Sequence, residues 1–256
     1  MEKIEATGST ERIDELNGRG YRIIQDTKGF CFGLDAVLLS AFCIVSNGDQ
    51  VLDLGTGTGV IPILLEAKTR GGHFTGLELQ SEVADMAARS VKLNHIEEKV
   101  DIVNGDIRDI RNIFRGSTFD VVTGNPPYKT VSSGLISPNE KKAISRTEVK
   151  CTLDDFVGGA TYALKPGGRF YMVHRPERMA DIYETFAKYS LGVRYVRYVH
   201  PFRDANANLV LIEGIRGAKN NITVLAPMTV YESVGKYTLE ASEIYFKERL
   251  MEHGRG

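Results

Sequence analysis

Apolar and polar positions along this chain switch repeatedly between two periods. Leu34, Val37, Leu38, Ala41 and Val45 recur at i, i+3, i+4, i+7 and i+11, one face of a helix. Gln50–Leu54 is then a short apolar run of strand length. Val60, Ile63, Leu64 and Ala67 return to the helical period, with Pro62 tolerated in the first turn. The alternation continues through strand His73–Leu79, the helical face Val83, Met86, Ala87 and Val91, and strands Val100–Val103 and Phe119–Thr123. It resumes at Leu153, Phe156, Val157, Ala160 and Leu164, a helical face closed by Lys165-Pro166-Gly167-Gly168. Strand Arg169–His174, the face Met179, Ile182, Tyr183 and Phe186, and strands Val193–Val199 and Leu209–Ile215 follow. Apolar strands alternating with helices predict a mostly parallel sheet covered on both faces. The expected fold is α/β: a single doubly wound, Rossmann-like, seven-stranded sheet. Its final pair has no room for a helix between them and should form an antiparallel edge hairpin. Residues 1–12 are polar and expected to fray, and Tyr237–Leu250 looks like a surface helix.

This periodicity divides the chain into an N-terminal cover segment (1–48), a central α/β domain (49–216) and a C-terminal extension (217–256) packed on it. Length suits this, since 256 residues bury a full hydrophobic core. With 42% hydrophobic and 25% charged residues, collagen, disorder and a small disulfide scaffold are excluded. Cys31, Cys43 and Cys151 show no CxxC or zinc-ligand spacing, so idle thiols in a reducing cytosol and no metal site are expected. No signal-peptide pattern or membrane-length apolar run is present. A cytoplasmic protein with no membrane partner is expected; the sequence does not fix the oligomeric state, and a monomer is favoured over an assembly.

The net charge of -1 argues at first against a nucleic-acid partner. Its distribution changes the picture. Residues 129–203 hold 13 Lys/Arg against 7 Asp/Glu, and the remainder holds 19 against 26. Near-neutrality is a cancellation between an acidic part and a basic part.

The segment Val51-Leu-Asp-Leu-Gly-Thr-Gly-Thr-Gly59 joins the first central strand to its helix. Gly55 and Gly57 permit a tight turn and close approach to a ligand, and the helix start offers free N–H groups. A dinucleotide fingerprint would need its third glycine at Val60, which disfavours an NAD-dependent oxidoreductase. Asp53, just before the glycines, would repel a pyrophosphate but could accept hydrogen bonds from an ammonium group. Glu78, about 20 positions beyond the loop, is placed to bind ribose hydroxyls. Asp106 ends the next strand, where a carboxylate could accept from an adenine amino group.

DLGTGTG, GLEL and NGD at these intervals resemble the class I S-adenosylmethionine-dependent methyltransferases. The resemblance covers roughly residues 50–215 and implies S-adenosyl-L-methionine as the cofactor. It implies a binding set of Asp53, Gly55, Thr56, Gly57, Gly59, Glu78, Leu79, Asp106, Ile107 and Asn125.

Asn125-Pro126-Pro127-Tyr128 follows strand Phe119–Thr123 directly. Two prolines remove two backbone donors and fix the direction of the chain. The Asn125 amide and the Pro126 carbonyl become stiffly held acceptors, and Tyr128 offers a flat aromatic face. That set suits a planar group with an exocyclic NH2, its ring stacked on tyrosine. NPPY here resembles the amino-group methyltransferases of adenine N6, cytosine N4, guanine N2 or glutamine amide, and implies catalytic roles for Asn125, Pro126, Pro127 and Tyr128.

The N-terminal block is short for a protein-glutamine methyltransferase, which usually carries a helical domain there. Tyr21–Asp26 with Gly29–Ser40, Arg146-Thr-Glu148, and His200-Pro-Phe-Arg with Asn208–Gly214 resemble the bacterial valine-tRNA adenine-N6 methyltransferases. Thr147 stands where that family often has His. The implied substrate is an anticodon-loop adenosine of tRNA, an unpaired base that needs no duplex opening. Lys129, Lys141, Lys142, Arg146 and Lys150 would meet its phosphates. A guanine-N2 rRNA enzyme, a protein-glutamine enzyme, and a non-catalytic RNA-binding module that keeps the pocket are the alternatives.

Overall fold

The computed structural model describes residues 10–16, 20–29, 31–126 and 151–246. Tyr128, Pro127 and the basic set Lys129, Lys141, Lys142, Arg146 and Lys150 therefore lie outside the described residues.

The central sheet begins with β3 (Gln50–Leu54), β4 (His73–Glu78) and β5 (Val100–Asn104), then crosses back to β6 (Phe119–Gly124), β7 (Leu164–His174), β8 (Leu191–Phe202) and β9 (Leu209–Arg216). All seven expected strands are present. Their order across the sheet is β8-β9-β7-β6-β3-β4-β5, and pairings from β7 through β5 are parallel. Val51, Leu52, Leu54, Val121 and Val122 are wholly or almost wholly buried, as strands covered on both faces require.

The helices are α1 (Leu34–Phe42), α2 (Val60–Lys68), α3 (Ser81–Leu93), the short α4 (Ile110–Ile113), α5 (Leu153–Ala163), α6 (Met179–Lys188) and α7 (Leu239–Phe246). One core layer packs α1 and α2 on Val51, Val121 and Tyr171. The opposite layer packs α5 and α6 on Leu52, Val122, Phe170 and Met172. Thr152 and Asp155 start α5 with a reciprocal capping box, each side chain accepting the other's backbone N–H.

Four features differ from the sequence expectation. The final pair, β8 and β9, is antiparallel as expected, but β9 inserts between β7 and β8 and the pair does not end the sheet. The sheet continues past β8 through β10 (Thr223–Val224), β11 (Met228–Ser233) and β12 (Lys236–Tyr237), in a stretch too short and too mixed in polarity to announce itself. Lys165-Pro166-Gly167-Gly168 lies inside β7 as a bulge, because Phe119 pairs Leu164 and Val121 already pairs Arg169. Finally, α7 is not a bare surface helix, since Ala241 and Ile244 are buried against the α1 layer.

The N-terminal segment forms its own hairpin, β1 (Glu11–Leu16) with β2 (Tyr21–Asp26). It docks on α3. Arg89 holds Glu11 through both carboxylate oxygens, Asn94 exchanges hydrogen bonds with the backbone of Arg22, and the Ile24 N–H donates to Ser90 Oγ. Ile24 packs there on Met86 and Leu93.

Candidate active site

Chain direction across the sheet reverses between β3 and β6, because β4 and β5 extend to one side of β3 and the later strands to the other. In an open α/β sheet this switch point opens a crevice at the carboxyl ends of the strands. Leu54 pairs with Gly124, so the next residues, Gly55 and Asn125, leave the sheet side by side at the same level. Leu54 also pairs with Leu77, and Glu78 with Asn104. The predicted residues Asn125, Gly55, Glu78 and Asp106 therefore follow one another along a single edge.

The glycine loop is fixed by its own backbone. The N–H groups of Gly55 and Thr56 both donate to Leu77 O, and Gly59 N–H donates to Thr56 O. Gly55, Gly57 and Gly59 all have positive φ, at 67°, 57° and 85°. A methyl group on Gly57 would meet only open space, whereas one on Gly59 would press on Ala87. Gly76, on β4, would drive a side chain into Thr56 at 2.7 Å; its missing Cβ lets the loop lie down on the sheet.

Glu78 is buried, and its two carboxylate oxygens accept the N–H groups of Gly57 (3.0 Å) and Gln80 (2.9 Å). It locks the glycine loop to β4. Leu79 follows it, half-buried, with its carbonyl and that of Glu78 both bonded by the Asn104 amide.

Asp53 is the fourth residue of β3 and is 1% exposed, deeper than a strand-end position suggested. Thr123 Oγ1 donates to its Oδ1 at 2.6 Å. Its Oδ2, and Thr56 Oγ1 nearby, are buried without a hydrogen-bond partner among the described residues. Burial pushes the Asp53 carboxyl up to about 7; the hydrogen bond from Thr123 pulls it part of the way back, and Glu78 pushes it further up.

Asp106 caps the 3-10 turn Ile107–Asp109, accepting Arg108 N–H at 2.9 Å, while the Arg108 guanidinium spans both carboxylate oxygens. A hydrogen bond to an adenine amino group would have to share this carboxylate with Arg108. Ile107 is buried and packs where Gly159 of α5 lacks a side chain.

Three residues with a stake in the site went unnoticed in the sequence. Thr123 holds Asp53, a role visible only once β3 and β6 are known to pair. Phe156 of α5 presses its ring against both turns: methyl groups built on Gly55 and Gly124 would each come within 3.2 Å of it. His174 closes β7, two residues past the Gly124–Met172 pair. Its Nδ1 accepts Arg175 N–H, and burial, reinforced by Arg178, pulls it down to about 4, so it is neutral at physiological pH.

A glycine loop beneath a switch point, with acidic residues on successive strand ends, is the construction of the class I S-adenosylmethionine-dependent methyltransferases. The residues present fit that cofactor. An orphaned carboxylate oxygen and an orphaned hydroxyl lie buried beside a loop whose Gly57 leaves space for close approach. The chain belongs to the family described as "Methyltransferase domain", whose profile matches residues 45–210.

Relatives agree with this membership. The chain is 24% identical to the tRNA1(Val) (adenine(37)-N6)-methyltransferase of Phocaeicola vulgatus over 192 residues, 75% of this chain and 80% of that one. It is 27% identical to the enzyme of the same description from Porphyromonas gingivalis over 165 residues, 62% of this chain and 64%, just under two thirds, of that one. Among solved structures, one described as a predicted O-methyltransferase from Agrobacterium tumefaciens superposes with a TM-score of 0.68 at 20% identity, covering 85% of this chain and 98% of that one. The Thermus thermophilus 16S rRNA N2 G1207 methyltransferase, solved with S-adenosylmethionine and guanosine, gives 0.56 at 20% identity, covering 82% of this chain and 51% of that one. At such identities the structures speak for the fold.

Proposed function

We propose that this protein methylates the exocyclic amine of a nucleic-acid base, adenine N6 in the anticodon loop of a valine tRNA. The observation that carries this reading is the departure of Asn125-Pro126 from β6 beside the glycine loop. The named activity of the tRNA1(Val) relatives supports the choice of base and RNA. The unlike charge of the two parts of the chain supports an RNA partner, with Lys129, Lys141, Lys142, Arg146 and Lys150 on its phosphates.

S-adenosylmethionine supplies an electrophilic methyl group on a sulfonium. Asp53, ionised, accepts from the amino group of its methionine part. Glu78 keeps lone pairs for the ribose hydroxyls after taking two backbone N–H groups. Asp106, held by Arg108, faces the adenine end. On the acceptor side, the Asn125 side-chain carbonyl and the Pro126 carbonyl each take one N–H of the substrate amine. Both hydrogen bonds would leave electron density on nitrogen for the attack; as the carbon–nitrogen bond forms the carbon–sulfur bond would break, S-adenosylhomocysteine would leave, and the surplus N–H proton would pass to solvent, so no strong general base is needed. Pro127 stiffens the turn and Tyr128 stacks on the base, for roughly 1–3 kcal/mol.

In this reading residues 49–216 are the catalytic unit, 1–48 covers its cofactor side and 217–256 packs alongside. The reading places the protein in the cytoplasm, and no helix among the described residues is long and apolar enough to cross a membrane. Nucleoside analysis of tRNA from a deletion strain tests the reading: N6-methyladenosine should disappear from one tRNA. Unchanged N6-methyladenosine in every tRNA removes it, and loss of N2-methylguanosine or of glutamine methylation would install one of its rivals.

A further inference from the structure

We propose that the carboxyl edge of β8 and β11 is a base-stacking platform for unpaired nucleotides flanking the reacting base, with Phe202 as its outer ring. The inference rests on the RNA reading above and extends it to a second contact surface. Because β9 runs antiparallel between β7 and β8, strand β8 points the same way as β6, and β11 is parallel to β8. Phe202 therefore emerges on the same edge as Asn125. It lies three strands across, roughly 14 Å at the usual strand spacing, and five residues further along its strand than the level of Asn125, because Gly124 lies level with Val196 through Met172 and Ile212. The two positions are thus roughly 22 Å apart, a span of several nucleotides.

Behind Phe202 the rings form a ladder. Phe202 and Tyr231 are 5.7 Å apart, Tyr231 and Tyr237 4.9 Å, and Tyr237 stacks on Tyr245 at 5.7 Å. The inner rings are half-buried, whereas Phe202 is 38% exposed. The turn beyond it is closed, with Ala205 N–H on Phe202 O, His200 Nδ1 on Ala205 O and Asn208 N–H on Val199 O. An exposed phenylalanine is thus held in place by rings on one side and a braced turn on the other. Such a preorganised face stacks on any base.

Cations flank the path. Arg203 follows Phe202 and is exposed. Arg175, at the end of β7 between Phe202 and the crevice, is anchored by donating to Asn208 O at 2.8 Å. Guanidinium groups beside an exposed ring match a sugar-phosphate backbone with one base turned inward. Phe246, 49% exposed, packs on Tyr237 and Tyr245 at the far end of the ladder, so the choice of RNA over a protein partner rests on the flanking guanidinium groups.

The test is steady-state methylation of tRNA by Phe202→Leu, which keeps an apolar side chain but removes the π face, and by Phe202→Trp, which restores it. Phe202→Leu should raise KM for tRNA about tenfold, within what stacking of one base supplies. Its kcat, KM for S-adenosylmethionine and melting temperature should stay as in the wild type, and Phe202→Trp should return KM for tRNA to its starting value. Arg203→Gln should make the salt dependence of RNA binding shallower by about one unit of log–log slope. Wild-type KM for tRNA in Phe202→Leu, or a matched loss of kcat and melting temperature, overturns the platform while the RNA reading stands. A wild-type protein that methylates protein but no tRNA overturns both.

Discussion

Asp53 and Glu78 stand one strand apart at the same end of the sheet, both carboxylates and both buried, yet their surroundings are opposite. Glu78 receives two backbone N–H groups and closes the glycine loop onto β4. Asp53 receives one hydroxyl, keeps a buried oxygen without a partner among the described residues, and is pushed up to about 7. One carboxylate is held as an ion by backbone N–H groups of the fold itself; the other has no such donors and is stabilised as an ion by a positive neighbour. A buried acid in that condition is a candidate partner for a cationic group. Asn125, on the far side of β3, belongs to neither class: it is a neutral amide, to which the proposed function gives the choice of acceptor. In that reading the donor side of the crevice recognises through charge, and the acceptor side through neutral hydrogen-bond geometry.

Substitutions should separate the two sides. The largest effect is expected at Asn125→Ala, with kcat lowered roughly 10²- to 10³-fold, the scale of removing one preorganised group at a reacting centre. Cofactor affinity by calorimetry should change little, and equal loss of both would merge the two sides into one. Asp53→Ala should weaken cofactor binding by roughly 10²-fold, as expected when a buried charge loses its partner. Wild-type affinity in that variant would take the ammonium contact away from Asp53.

The pH dependence sharpens the contrast. With Asp53 raised from 3.8 to about 7, the native protein holds a proton that the unfolded chain has released between those values. Stability of the free protein should therefore fall as pH rises from about 4 through 7, by on the order of 4 kcal/mol, and cofactor affinity should rise over the same range. Asp53→Asn should flatten both curves, and Thr123→Val, by removing the hydroxyl donor, should shift the wild-type midpoint upward. Chemical denaturation across that range reads the stability curve; a wild-type profile in Asp53→Asn would mean another group titrates.

Smaller effects are expected at the loop and the turn. Gly57→Ala carries the cost of a left-handed residue, about 1–2 kcal/mol of stability. Its methyl group would point into free space, so a larger loss of cofactor affinity than of stability would place the ligand there. Tyr128→Phe should be mild in kcat and KM, since stacking survives it; a collapse in rate would point to the hydroxyl.

Much of the fold was legible because the strands are apolar on both faces and the helices keep one apolar stripe, so the two periods alternate cleanly from Gln50 to Ile215. The added strands β10–β12 were not, since pairs such as Thr223–Val224 have no period to read. Site residues with a one-dimensional signature, the glycine loop and Asn125-Pro126, stood out from spacing alone. Partners supplied by other strands and helices did not. Thr123 matters because β6 lies beside β3, and Phe156 because Gly55 and Gly124 both lack a Cβ where its ring sits. The Arg108 grip on Asp106 is a local ion pair between residues two apart, and its pairing became visible only with the turn that folds them together.

In the proposed function this edge transfers a methyl group to an sp2 amine of an RNA base. The most direct measurement is labelled-methyl transfer from S-adenosylmethionine to total tRNA prepared from a strain lacking the protein, followed by nucleoside mapping. Label should appear in N6-methyladenosine at one anticodon-loop position of a valine tRNA. Label in a different nucleoside, or none in any tRNA while the cofactor binds normally, would contradict it.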